Sequence, residues 1–119
     1  MKRLTKTEDI LMELFWTHGK LFVKDMVELM PDPKPHFNTV STQVRTLEME
    51  GFLKHKAYGG SHQYEPAITR EEYSRSRLSY IADKYYNKSY LGVVSSLVKD
   101  EKLSVDELKA LIAELESGK

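Results

Sequence analysis

Apolar residues recur at helical spacing in three successive segments of the first fifty positions. Ile10, Leu11, Leu14 and Phe15 predict a helix over about 6–17 that buries this stripe and stops near Gly19. Val23, Met26, Val27 and Met30 repeat the spacing and predict a second helix over about 23–30. Pro31, Pro33 and Pro35 then break the chain. A third helix is expected over about 36–50, with Phe37, Val40, Val44 and Leu47 packed inward as one stripe. Gly51 suits the left-handed position that ends a helix. After it the period changes to two. Leu53, His55 and Ala57 alternate with Lys54, Lys56 and Tyr58, Gly59-Gly60-Ser61 reverses the chain, and residues 62–65 return as a second strand.

Helix, helix, Pro-rich turn, helix and ribbon is the order of a winged helix-turn-helix domain, here expected over residues 1–67. Three further helices follow, over about 70–86, 90–98 and 105–116. Capping boxes start three of the six helices: Thr5 with Glu8, Thr69 with Glu72, and Ser104 with Glu107. Hydrophobic staples, Ile68 with Tyr73 and Leu103 with Leu108, accompany the last two. Residues 68–119 have no evident place in the core of a domain already complete, so they predict a dimerisation region. Its seam is expected to hold Tyr80, Ile81, Tyr85, Tyr90, Leu91, Val94, Leu97, Val98, Leu108, Leu111, Ile112 and Leu115. The alternative is that these helices fold back on the winged domain in a monomer. The fold class expected is mainly α with a small β-ribbon.

The third helix has two chemically different faces. Opposite its apolar stripe lie Asn38, Thr39, Ser41, Thr42, Arg45 and Thr46. Ser, Thr and Asn are poor helix formers, so helix propensity did not select this face; an ordinary solvated face would be rich in Lys and Glu. A helix lying in a major groove does need it, because short polar groups permit close approach and Arg can donate two hydrogen bonds to a guanine edge. In the ribbon, Lys54, Lys56 and His62 are expected to line one side and contact phosphates, which position a protein without reading sequence. The bland counterparts are a polar surface helix and a solvated hairpin.

The 119 residues include 18 Lys plus Arg and 18 Asp plus Glu, so bulk charge does not announce a polyanion partner. Distribution matters more. Between Lys34 and Tyr64 the basic residues Lys34, Arg45, Lys54 and Lys56 face only two acids, Glu48 and Glu50, so weak non-specific binding and dependence on a dimer are expected. The absence of cysteine excludes disulfides, thiolate metal sites and a Cys nucleophile. No segment approaches the length of a membrane span and no signal-peptide region is evident, which predicts a cytoplasmic protein without membrane insertion. No convergent nucleophile and base suggest an enzyme. His55 and His62 could face each other across the ribbon, but no second pair at ligand spacing joins them, so neither metal nor cofactor is expected.

The ordered series Leu4-Thr-x-x-Glu8, Leu14-Phe-Trp16, Asn38-Thr-Val40, Arg45-Thr-Leu47, Gly51-Phe52, His55-Lys56, Tyr64 and Lys102-Leu-Ser104 resembles the penicillinase-repressor family, which includes the methicillin-resistance repressor. The resemblance implies a bacterial homodimeric repressor whose third helix binds a palindromic operator and whose C-terminal helices dimerise. It also implies release by a membrane sensor protease. Where antibiotic-responsive members carry a cleaved Asn-Phe bond, this chain has Ser96-Leu97. Where members often carry Lys before the glycine, it has Glu48-Met49-Glu50, and the Cys cluster of copper-responsive relatives is missing. Two rival functions remain open at this point: a regulator that binds a small ligand, with Tyr80, Tyr85, Tyr86 and Tyr90 lining a pocket, and a winged helix that binds only protein.

Overall fold

The computed structural model describes residues 1–118. Its elements are α1 (Lys6–His18), β1 (Leu21–Phe22), α2 (Val23–Leu29), α3 (Phe37–Met49), β2 (Leu53–Tyr58), β3 (Ser61–Pro66), α4 (Arg70–Tyr85), α5 (Tyr90–Lys99) and α6 (Val105–Gly118). The three strands form one antiparallel sheet in the order β1-β3-β2. The fold is therefore mainly helical with a small ribbon, as the hydrophobic pattern predicts. The expected ribbon acquires a third strand, β1, whose Leu21 and Phe22 pair with Tyr64 and Gln63. Two residues are too few to show a period, which is why alternation does not reveal them.

All three expected capping boxes form. In each, the hydroxyl of Thr5, Thr69 or Ser104 accepts the amide N–H of Glu8, Glu72 or Glu107, and that carboxylate accepts the cap's own amide N–H. At the end of α3, Gly51 adopts φ +88°. Its amide donates to Glu48 O and that of Phe52 to Leu47 O, the double bond of a Schellman closure, while Phe52 and Leu47 are both buried. Gly59 takes a positive φ of 59° at the first turn position, which lets two residues reverse the strands.

The core is built from Leu11, Met12 and Phe15 of α1, Val23 and Met26 of α2, and Val40, Val44 and Leu47 of α3, closed by Leu4, Leu21, Phe52, Leu53 and Tyr64. Each fully buried side chain among them contributes roughly 1.5–3 kcal/mol. Two residues of the predicted stripes lie elsewhere. Ile10 is 48% exposed and Met12 replaces it, because Glu8, Leu11, Met12 and Phe15 form the inward face and Ile10 sits one step round the helix. Phe37 is 50% exposed, since it occupies the first turn of α3, beyond the edge of the core that covers Val40 and Val44.

One compact unit extends from Met1 to Arg75, past the boundary expected at residue 67. Ile68 and Tyr73 pack against the same core cluster. The Tyr73 hydroxyl accepts the Leu4 amide at 2.8 Å, and its ring meets Phe52 edge-on at 5.8 Å and Trp16 at 5.9 Å. Arg70 pairs with Glu13 and lies 5.7 Å over the Trp16 ring. The first turn of α4 thus belongs to the winged domain's packing, through the staple that the sequence reading assigns to helix initiation alone.

The second unit starts at Ser76. Among its described residues only Ala82 is buried. Ser89 caps α5 by accepting the Gly92 amide, and Glu101 at φ 61° closes it, with Lys102 N–H donating to Leu97 O. Within this unit Tyr86 donates its hydroxyl to Ser96 and Tyr90 donates to Asp83. No helix among the described residues is long and apolar enough to cross a membrane.

Candidate nucleic-acid interface

Helix α3 is anchored by its apolar side and presents the other. Asn38, Thr39, Thr42, Arg45 and Thr46 are exposed and Ser41 is half-buried. The threonines reconcile themselves with helix by bonding backward: Thr42 Oγ1 donates to Asn38 O at 2.9 Å and Thr46 Oγ1 to Thr42 O at 3.1 Å. Arg45 lies along the same surface, its two terminal nitrogens donating to Ser41 Oγ at 3.2 Å and Thr42 Oγ1 at 3.3 Å. Both partners are neutral hydroxyls, so neither supplies the guanidinium with a counter-charge. His36 caps the helix, its ring Nδ1 accepting the Asn38 amide at 3.1 Å, which assigns the proton of the neutral ring to Nε2.

In the wing, Lys54 stands opposite Glu65 and Lys56 opposite Gln63. Both lysines are exposed and share a face with Tyr58, as the alternation predicts. His62 does not share it. The register places His62 opposite Ala57, on the face that carries Leu53, His55 and Tyr64. There its ring stacks on His55 with centroids 4.0 Å apart and planes 10° from parallel. The sequence shows the alternation within each strand, but only the pairing register decides which residues of two strands share a side. His62 instead turns toward α3, lining a cleft with Arg45, Ser41 and Phe37.

The acids at the end of α3 are engaged internally. Glu48 bonds the Nδ1 of His55, and Glu50 pairs with Lys2 at 3.2 Å, the same Lys2 that meets Glu8 at 2.8 Å. Carboxylates this close to α3 repel phosphate, and these internal pairings reduce that repulsion. Burial drives the Tyr64 phenol above its usual value, the Glu48 charge adds to this and Arg45 opposes it, so Tyr64 stays neutral. Lys34, counted above among the basic residues of this region, is held by Glu28 O at 3.0 Å and Met30 O at 2.9 Å and closes the end of α2. Lys24, which sequence reasoning passed over, lines the cleft; nothing in the spacing of α2 distinguishes it from an ordinary surface lysine. Among the described residues no group of three or more His, Cys, Asp and Glu could hold a metal ion.

The proposed seam residues of the second unit are largely uncovered within one chain. Tyr85 is 68%, Leu91 84% and Leu115 62% exposed, and Tyr80, Ile81, Tyr90, Leu97, Leu111 and Ile112 are exposed as well. Val94, Val98 and Leu108 are half-buried. Ser96 is half-buried and Leu97 exposed, both within the hydrogen-bonded body of α5.

The sequence profile of the penicillinase repressor family matches residues 4–117. The chain belongs to the penicillinase repressor family. A penicillinase repressor from Bacillus licheniformis is 24% identical to it over 123 residues, an alignment covering 100% of this chain and 96% of that protein. The family comprises transcriptional regulators rather than enzymes. The match spans the winged domain and the helices beyond it alike, so both units are family features.

Proposed function

We propose that the protein is a homodimeric transcriptional repressor of the bacterial cytoplasm that binds a palindromic operator. The unit that ends at Arg75 supplies the DNA-binding domain, and the helices beyond it the dimerisation region. Asn38, Thr39, Ser41, Thr42, Arg45 and Thr46 enter the major groove, with Arg45 donating to a guanine edge. Lys54 and Lys56 contact phosphate from the wing, and His62 does so from the cleft side. The observation that carries this reading is the outer face of α3, where short hydroxyls and one guanidinium, with no carboxylate partner among the described residues, stand on a helix fixed by Val40, Val44 and Leu47.

The helices beyond residue 75 join two copies. A helical unit with a single buried side chain among its described residues cannot hold its shape by burial of its own, and a second copy would cover the exposed faces of Tyr85, Leu91 and Leu115. The two recognition helices would then meet successive major grooves about 34–36 Å apart, the spacing of half-sites one turn apart. Cleavage of Ser96-Leu97 by a membrane sensor protease would relieve repression by dismantling α5. The hydrogen-bonded helix around this bond means that the helix must open before a protease can reach it.

A gel-shift titration against DNA upstream of the protein's own gene, with excess unrelated DNA, tests the core of the reading. Specific retardation that disappears in Arg45→Ala is expected; no specific shift even at low salt would sink it.

A further inference from the structure

We propose that the cleft between α3 and the wing binds a small aromatic carboxylate. The cleft measures about 430 Å³, within the roughly 300–1,000 Å³ of small-molecule sites. Three positive or protonatable groups border it, Lys24 from α2, Arg45 from α3 and His62 from the wing. No Asp or Glu lines it, although acids and bases are equal in number along the chain. Among the described residues no carboxylate forms an ion pair with Lys24 or Arg45. Glu48, on the same helix as Arg45, is turned to His55. The cleft therefore brings the Lys24 ammonium and the Arg45 guanidinium to one lining that, among the described residues, contains no carboxylate.

Its remaining walls are aromatic: Phe22 from β1, Phe37 from α3 and Tyr64 from β3. Phe37 is the apolar residue of the recognition helix that the core leaves half uncovered, and here it forms part of a wall. A phosphodiester strand would use the charges but gain little from three ring walls. A flat anion with an aromatic body uses both, its carboxylate meeting the planar guanidinium in two-point contact while the body packs on the rings. Arg45 and His62 are also the groups assigned above to the operator, so a bound carboxylate and DNA exclude each other; this consequence rests on that reading.

The test is a titration of the full-length protein with cinnamate, followed by backbone amide resonances, with uncharged cinnamamide beside it. Saturating shifts centred on Arg45, His62 and the Gly60-Ser61 turn are expected, and cinnamamide should bind at least about tenfold more weakly. Lys24→Ala, an exposed position on a short helix, should weaken cinnamate by about fivefold or more, and Phe37→Ala should weaken both compounds. No saturating shift up to about 10 mM, or equal binding of the neutral amide, overturns the site. Displacement of labelled operator by cinnamate, read by fluorescence anisotropy, then tests exclusion; cinnamate seated in the cleft with operator undisplaced overturns it. The shifts are read without DNA, so a protein that binds no operator would fail the repressor reading and leave the carboxylate site to stand on its own result.

Discussion

Trp16 donates its indole N–H to the backbone carbonyl of Ile68 at 3.0 Å, joining the end of α1 to the residue two before α4. Core packing alone would be the obvious use of a Trp closing the first helix. The bond adds a polar function: it fixes where the chain leaves the wing, with Tyr73 tilted against the same ring and Arg70 above it. Trp16→Phe keeps most of the ring area but leaves the Ile68 carbonyl without this partner. It should lower unfolding free energy by about 1–2 kcal/mol, read from urea unfolding, with no other group in the winged domain disturbed. An unchanged midpoint would mean that water replaces the indole without cost.

Arg45→Ala should weaken specific operator binding by about 1–3 kcal/mol while changing non-specific binding little, if the guanidinium leaves Ser41 and Thr42 for a base edge. Anisotropy titrations on operator and scrambled DNA check this. Equal losses on both sequences would reassign Arg45 to a phosphate.

Lys54→Ala and Lys56→Ala should each weaken operator and scrambled DNA alike, and each should reduce the slope of log affinity against log salt by about 1. The two lysines share a wing face that His62 does not. His62→Ala should therefore alter the salt slope less than either lysine substitution, and a slope change equal to that of the lysines would contradict the placement.

Leu97→Asp should convert a dimer to a monomer in light scattering and sharply weaken operator binding, because each copy supplies half of the phosphate contacts. Leu97 is exposed in the single chain, so the substitution costs the monomer little. A mutant that remains dimeric would move the seam away from α5.

Glu8 gives the chain a defined acid response. Burial pushes its carboxyl up, but the Lys2 ammonium and the Thr5 amide more than offset this and hold it below its ordinary value. A lowered folded-state value means that the unfolded chain binds the proton more readily. The stabilisation is therefore present above the ordinary carboxylate range and is lost as pH falls through the lowered value. The stability difference between wild type and Glu8→Gln, measured by urea unfolding across the acid range, should shrink as pH falls. A difference independent of pH would locate the effect in the cap geometry instead of the charge.

The sequence by itself determined the helices, the capping boxes of three of them, the ribbon and the face of α3, because each depends on residues within a few positions of one another. Thr5 and Glu8, Gly51, and the alternation from Leu53 to Tyr58 act locally, and the structure reproduces them within a residue or two. Tertiary structure decided what depends on partners distant along the chain. Pairing register, which links residues of separate strands, set His62 on the His55 face, and β1 exists only because β3 offers it an edge. The extent of the core, which no period encodes, left Ile10 and Phe37 outside and brought Ile68 and Tyr73 in. The cleft joins Lys24, Arg45 and His62 from three elements, so its charge and its aromatic walls emerge only where the folded chain brings them together.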